Sequence, residues 1–144
     1  MRLLHPGWQA LLVGALLLLT GVNGFAEGKI YVVAHRETPA MDAVMLQKVF
    51  LGKVIRVNDI PVVPVNLLPG NQTRQSFLAQ VLEQSDEKYV SYWTVRRYIG
   101  QGSPPREFGS GAEMLDYLRA TPGAVGYVED VTNLAGLVVV LERP

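Results

Sequence analysis

The chain has no cysteine and only two histidines, His5 and His35, among its 144 residues. Disulfides, a thiol nucleophile and attachment through a lipidated cysteine are therefore excluded. No His-x-x-x-His or Cys pair exists to hold zinc, and no cofactor is expected. Charge of one sign is lacking as well. Thirteen Lys and Arg balance 13 Asp and Glu, with no basic block, which argues against nucleic acid or an anionic membrane surface as the main partner. The carboxylates are scattered, and only Glu129-Asp130 stand together after an apolar run. With His35 read as a structural residue near a strand end, no acid–base constellation emerges, and the chain reads as non-enzymatic. Repeats and low-complexity tracts are also missing.

What is present begins with an apolar N-terminus. Leu11 to Val22 is interrupted only by Thr20, Arg2 precedes it, and Gly24-Phe25-Ala26 offers small residues where a signal peptidase reads. The run is shorter than the roughly 20 residues a membrane span needs. Residues 1–26 are expected to be a cleaved signal peptide, with an uncleaved anchor as the alternative. Residues 27–144 then form one exported, periplasmic domain. That length supports a sound core but not two ordinary lobes with a cleft between them.

Along this domain, Lys29 to His35 reads as a strand buried on both faces. Thr38-Pro39 resembles a helix cap followed by proline at the first position, and Val44, Met45, Val49 and Phe50 fall on one helical face. Gly52 suits the left-handed residue after that helix. Asn58-Asp59 signals a turn. Pro61 to Val65 is β-branched and apolar, and its two prolines predict that the start of this strand lies at an edge or is irregular. Ser85 caps a helix that places Tyr89, Val90, Trp93 and Arg97 on one side, with Trp93 as core and Arg96 and Arg97 as solvated surface. Ser110 and Glu113 fit a capping box ahead of Met114, Leu115 and Leu118. Thr121-Pro122-Gly123 stops that helix. Ala124 to Val128 and Leu137 to Leu141 read as the last strands. The order β-α-β-α-α-α-β-β predicts a layered α/β lobe with a mixed, mostly parallel sheet flanked by helices.

Between the strand ending at Leu68 and the helix around Phe77 lies Asn66-Leu67-Leu68-Pro69-Gly70-Asn71-Gln72-Thr73-Arg74. The first N–H groups of a helix lack internal partners and carry partial positive charge. A glycine there lets the backbone approach a ligand. The stretch is thus either a plain strand-to-helix turn capped by Asn71 or an anion seat.

Three stretches together carry a family likeness: Val49-Phe50-Leu51-Gly52-Lys53, the Gly70 loop with Phe77, and Thr121-Pro122-Gly123-Ala124-Val125-Gly126-Tyr127. In this order and spacing, with the Gly100 to Pro105 loop between them, the chain resembles the phosphate-binding proteins of ABC transporters, of the type 2 periplasmic binding protein fold. The likeness covers nearly all of 27–144 but only about one lobe of two-lobed members. Those members carry Arg-x-Asp-Gly-Ser-Gly-Thr in the ligand loop. Here Leu67 stands at the arginine position, Pro69 at the aspartate, Asn71 at the serine and Gln72 at the second glycine, while Gly70 and Thr73 are kept. Tyr127 is read as core.

The resemblance implies an exported solute-binding protein for phosphate or a related oxyanion. Gly70, Asn71 and Thr73 would hold the ligand, with Arg74 as counter-charge. A homodimer would supply a second cleft wall, and a membrane permease or other envelope protein is the implied partner. The alternative is a ligand-free structural or signalling module, with Leu67, Leu68 and Pro69 as an apolar contact surface.

Overall fold

Seven strands and four α-helices are built from residues 28–144, the part of the chain that the computed structural model describes. The expected signal, 1–26, lies outside the described residues. In chain order the elements are β1 (Ile30–His35), α1 (Ala43–Phe50), β2 (Arg56–Val57), β3 (Ile60–Pro61), β4 (Val63–Leu67), α2 (Gln72–Phe77), α3 (Asp86–Tyr98), β5 (Arg106–Phe108), α4 (Gly111–Ala120), β6 (Ala124–Val128) and β7 (Leu137–Arg143). A π-helical turn, Leu78–Leu82, continues α2 directly. Five strands form one sheet in the order β5-β4-β6-β1-β7.

The sheet is mixed for a reason visible in its connections. β4 reaches β5 through α2 and α3, and β5 reaches β6 through α4. Both are long helical crossovers, and both β4–β5 and β4–β6 pair in parallel. β1 runs antiparallel to both of its neighbours, β6 and β7. Apolar runs in β1 and β6 are buried on both faces, as the unbroken apolar sequence requires, whereas β7 is an edge strand with Val138 and Val139 exposed. Asn58 and Asp59 both take positive φ, 49° and 62°, closing the small β2–β3 hairpin.

Three expectations need correction. Helix α1 starts five residues after Thr38: Asp42 is its cap, its Oδ1 accepting from the Met45 N–H at 2.7 Å. Thr38 is buried instead and donates its hydroxyl to the Ala124 carbonyl. Leu46, Val49 and Phe50 form the buried stripe of α1, and Val44 is 58% exposed. The start of β4 is irregular, as its prolines predict: Pro61 falls in β3 and β4 begins only at Val63, although the strand lies inside the sheet. Val63 N–H points to the β6 side, where it donates to the Gly123 carbonyl, and β5 pairs only from Val65 onward. Pro64 therefore lacks its N–H at a point where the β5 side has no partner. In α3, Tyr89 and Trp93 are buried as expected, but Val90 is exposed.

The centre of the core lies under the β4–α2 junction. Phe77 stacks on Tyr127 with ring centroids 3.9 Å apart and planes 6° from parallel, and Phe50 packs on Phe77 at 4.8 Å. Such aromatic pairs contribute about 0.5–1.5 kcal/mol each beyond area burial. Gly52 (φ 68°) and Gly123 (φ 83°) sit where no side chain fits: a Cβ would lie 2.6 Å from the Trp93 ring and 2.0 Å from the Pro61 carbonyl oxygen, respectively. Close packing and left-handed backbone together explain the glycines of the Phe-Leu-Gly-Lys and Thr-Pro-Gly stretches.

Candidate functional site

The β4–α2 loop turns at Gly70, whose φ of 85° is left-handed, with open space where a Cβ would stand. Glycine is needed there for its backbone, not for room. Asn71 follows in extended conformation and caps α2, its Oδ1 accepting from the Arg74 N–H at 3.2 Å. The Asn71 N–H donates to the Leu68 carbonyl at 3.1 Å, and the Gly70 N–H donates to Asp86 Oδ2 at 3.2 Å. Among the described residues, the N–H groups of Gln72 and Thr73 meet no acceptor.

A second helix start lies nearby. Ser110 caps α4, accepting from the Glu113 N–H at 3.2 Å, and Glu113 Oε2 accepts from the Gly109 N–H at 3.1 Å. The capping pair read from the sequence is present, with Glu113 reaching one residue before the cap. Among the described residues, the Gly111 and Ala112 N–H groups also meet no acceptor.

Both helix starts border one cavity of about 310 Å³. Leu67, Asn71 and Thr73 form one side, and Gly111, Ala112 and Leu115 form the other. Tyr127 and Val128 make its base, and the loop after β6 closes it with Glu129, Asp130, Thr132 and Asn133. The cavity sits beyond the carboxyl ends of β4 and β6. There the chain leaves β4 toward β5 on one side and leaves β6 toward β7 on the other. Open α/β sheets hold their ligands at such switch points. The β6–β7 loop is tied down by Arg119, whose Nε donates to the Ala135 carbonyl and whose Nη2 contacts Asn133. Asp130 accepts from both the N–H and the hydroxyl of Thr132 at 2.8 and 2.9 Å.

Beneath the loop runs a buried polar chain. Leu67 N–H donates to the Tyr127 hydroxyl at 3.0 Å, which donates to Asn66 Oδ1 at 2.9 Å. Asn66 Nδ2 donates to the Tyr89 hydroxyl at 3.0 Å, which donates to the Phe50 carbonyl at 3.0 Å. Burial pushes the Tyr89 phenol up to about 12 and raises that of Tyr127 further. Both hydroxyls stay neutral and structural.

Arg74 takes a place the sequence reading did not foresee. It is 1% exposed. Nε donates to Asp86 Oδ1 at 3.0 Å, with Nη2 2.8 Å from the same oxygen. Nη1 donates to the Leu67 carbonyl at 2.8 Å and to Glu107 Oε1 at 3.0 Å. The guanidinium also lies over the Tyr89 ring, 5.5 Å from its centroid. Burial opposes its charge, but the two carboxylates outweigh that cost and its pKa rises. Its charge is thus met inside the protein, on the side of the loop away from the 310 Å³ cavity, where it borders a smaller one of about 190 Å³ with Pro69, Tyr89, Trp93 and Glu107.

Of the four expected ligand residues, the structure brings Asn71 and Thr73 to the 310 Å³ cavity. Gly70 shapes the turn on its α3 side, and Arg74 lies buried behind it. Gly111 and Ala112 escaped the sequence reading. The Ser110–Glu113 box marked their helix start, but nothing in the sequence shows that it faces Thr73 across a cavity. Among the described residues, no three His, Asp or Glu side chains cluster as a metal site, and no helix is long and apolar enough to cross a membrane.

No family model and no curated protein matches the chain. Solved structures do match. A protein of Clostridium perfringens described as a phosphate ABC transporter substrate-binding protein, with bound phosphate, superposes with a TM-score of 0.61 at 16% identity, over 79% of this chain and 45% of that one. An ABC-type phosphate transport receptor of Vibrio cholerae gives 0.57 at 14%, over 81% and 47%. PstS of Borrelia burgdorferi gives 0.51 at 13%, over 70% and 41%. At these identities the likeness establishes fold alone, and the chain spans less than half the length of each. Residues 28–144 have a mixed α/β fold that resembles part of the fold of these phosphate-transport binding proteins.

Proposed function

We propose that this chain is an exported, periplasmic solute-binding protein that captures phosphate or a related small oxyanion reversibly, with no bond chemistry. The observation that carries this reading is the convergence of two helix starts on one cavity, each with two unpaired N–H groups. Oxyanion oxygens accept from such groups, and the positive ends of the helix dipoles favour negative charge. Asn71 contributes its side-chain amide, Thr73 its hydroxyl and N–H, and Gly70 the turn that brings them to the cavity. The resemblance to solved phosphate-binding structures supports the same ligand class.

Affinity in this reading is weak and discrimination poor. No Lys or Arg lines the cavity among the described residues, and Glu129 and Asp130 stand at its rim. Water also reaches the open side and screens the interaction. The matched structures are about twice as long, so a second wall is expected from a second copy of the chain or from an envelope partner such as an ABC-type permease. Light scattering that finds monomer with and without phosphate removes the homodimer from this reading.

A thermal-shift series and titration calorimetry with phosphate and sulfate test the reading. Phosphate should raise the melting temperature, and the heat of binding should vanish in Thr73→Ala while that variant melts normally. Absence of heat with either anion sinks it. One observation favours a second reading, a ligand-free envelope module: Leu68 is 48% exposed, and Pro69 and Val90 border a common groove. Retained folding with no anion response supports that module.

A further inference from the structure

Buried Arg74 forms a cluster with the partly exposed Asp86 and Glu107 that touches the site only through the backbone of its loop. Asp86 holds two points at once: Oδ2 accepts from the Gly70 N–H and Oδ1 from Arg74 Nε. Arg74 holds a third, the Leu67 carbonyl, while Glu107 on β5 anchors the other edge of the guanidinium. The two ends of the Leu67-to-Gly70 segment are therefore fixed by one ion pair, Leu67 by the guanidinium and Gly70 by the carboxylate bonded to it. A lysine ammonium cannot reproduce the guanidinium's planar fork, because it is a compact point charge without the flat array of donors. One guanidinium stands against two carboxylates, so the cluster carries no surplus positive charge to offer an anion.

We infer that Arg74 and Asp86 are positioning residues for the oxyanion cavity, setting the angle at which the Gln72 and Thr73 N–H groups meet the ligand without touching it. For its ligand, the inference rests on the oxyanion reading of that cavity. Positioning and direct charge attraction make opposite demands. If Arg74 worked by charge, Arg74→Lys would keep anion affinity, and Asp86→Asn would strengthen it by freeing the guanidinium from a carboxylate. If the cluster works by geometry, both variants weaken binding, because each loses a hold on the loop.

The experiment titrates inorganic phosphate into the wild type, Arg74→Lys and Asp86→Asn by calorimetry, and follows amide hydrogen exchange by NMR in the same samples. Weaker phosphate binding in both variants is expected, by roughly tenfold or more, the scale on which residues behind a binding shell act. Amide exchange should quicken at Gly70, Asn71 and Arg74, which are hydrogen-bonded through the loop, and stay unchanged at Glu113 and Met114 in α4. Wild-type affinity in Arg74→Lys, or tighter binding in Asp86→Asn, overturns the inference. If the wild type binds no phosphate, it is the oxyanion reading that fails. The exchange rates then decide the clamp alone: selective quickening in the β4–α2 loop supports it, and unchanged or uniformly raised rates overturn it. Asp86→Asn, which keeps the volume and an acceptor, serves if Arg74→Lys does not fold.

Discussion

Two helix starts face one cavity, and they are held by opposite means. The first turn of α4 is secured locally and at the surface, by Ser110 and Glu113 within four residues of each other. The first turn of α2 has a local cap in Asn71, but its loop is secured from beneath by groups far away in sequence. Asp86 is 12 residues from Arg74, Glu107 is 33, and Tyr127 lies 60 residues beyond Leu67. The difference teaches that equal backbone chemistry at a site need not mean equal dependence on the fold. The α4 start should survive any change that leaves its own six or so residues intact. The α2 start should report on the whole core.

The largest test of that contrast is Arg74→Met. It leaves Asp86, which is 13% exposed, without its buried partner, while Glu107 at 32% can partly rehydrate. Removing one side of a buried pair costs about 3–5 kcal/mol, and the rehydration of Glu107 favours the lower end. Denaturant unfolding should show a loss of about 3 kcal/mol. A loss under 1 kcal/mol would mean that the α2 loop does not depend on this cluster.

Alkaline pH probes the same underside by another route. The unfolded Tyr89 phenol ionises as pH rises through 10, whereas the folded one keeps its proton to about 12. The folded state alone resists ionisation, so stability is intact below pH 10 and falls between 10 and 12. A shift of this size corresponds to about 3 kcal/mol. Denaturant unfolding at successive pH values checks it, and Tyr89→Phe should make the decline shallower, with Tyr127 supplying the part that remains. Equal declines in Tyr89→Phe and wild type would contradict it.

Tyr127→Phe comes next. The substitution keeps the stack on Phe77 but leaves the Leu67 N–H and Asn66 Oδ1 each without the hydroxyl they share. An unsatisfied buried group costs about 1–3 kcal/mol. With two groups left open, the expected result is a loss at the upper end of that range, about 3 kcal/mol, with quickened amide exchange at Leu67 and none at Met114.

Much of this was legible in the sequence, and the part that was not has a common cause. β1, β6 and the helix ends at Gly52 and Gly123 were readable because their signals are local: unbroken apolar runs, and glycines where the chain must turn left-handed. The Ser85 and Ser110 caps were readable for the same reason. Thr38-Pro39 misled because a good cap sequence says only where a helix can start, and Asp42 offered a second one. Pro61 and Pro64 marked an irregular strand start correctly, since β5 pairs with β4 only from Val65 onward. Arg74 looked like a free counter-charge because its partners, Asp86 and Glu107, approach only after α3 and β5 have packed. Of the residues that line the cavity, Asn71 and Thr73 stood out in the sequence as candidates, whereas Gly111 and Ala112 join them only through the crossover of α4.

The smallest effect is expected at the locally secured start. Ser110→Ala removes one cap from α4 and leaves Glu113 Oε2 bonded to the Gly109 N–H. Loss of a capping hydroxyl costs about 1 kcal/mol, and the retained half of the box argues against more. In a domain of this size that lowers the melting temperature by about 5 °C. The loss should stay local, with amide exchange quickened at Glu113 and Met114 and unchanged at Gly70 and Arg74. The contrast between the two helix starts then rests on a ratio, since Arg74→Met should cost about three times as much as Ser110→Ala. Equal costs, or exchange in Ser110→Ala that spreads to the β4–α2 loop, would mean that the two starts belong to one cooperative unit. The distinction between a surface-capped and a core-anchored wall of the cavity would then have to be abandoned.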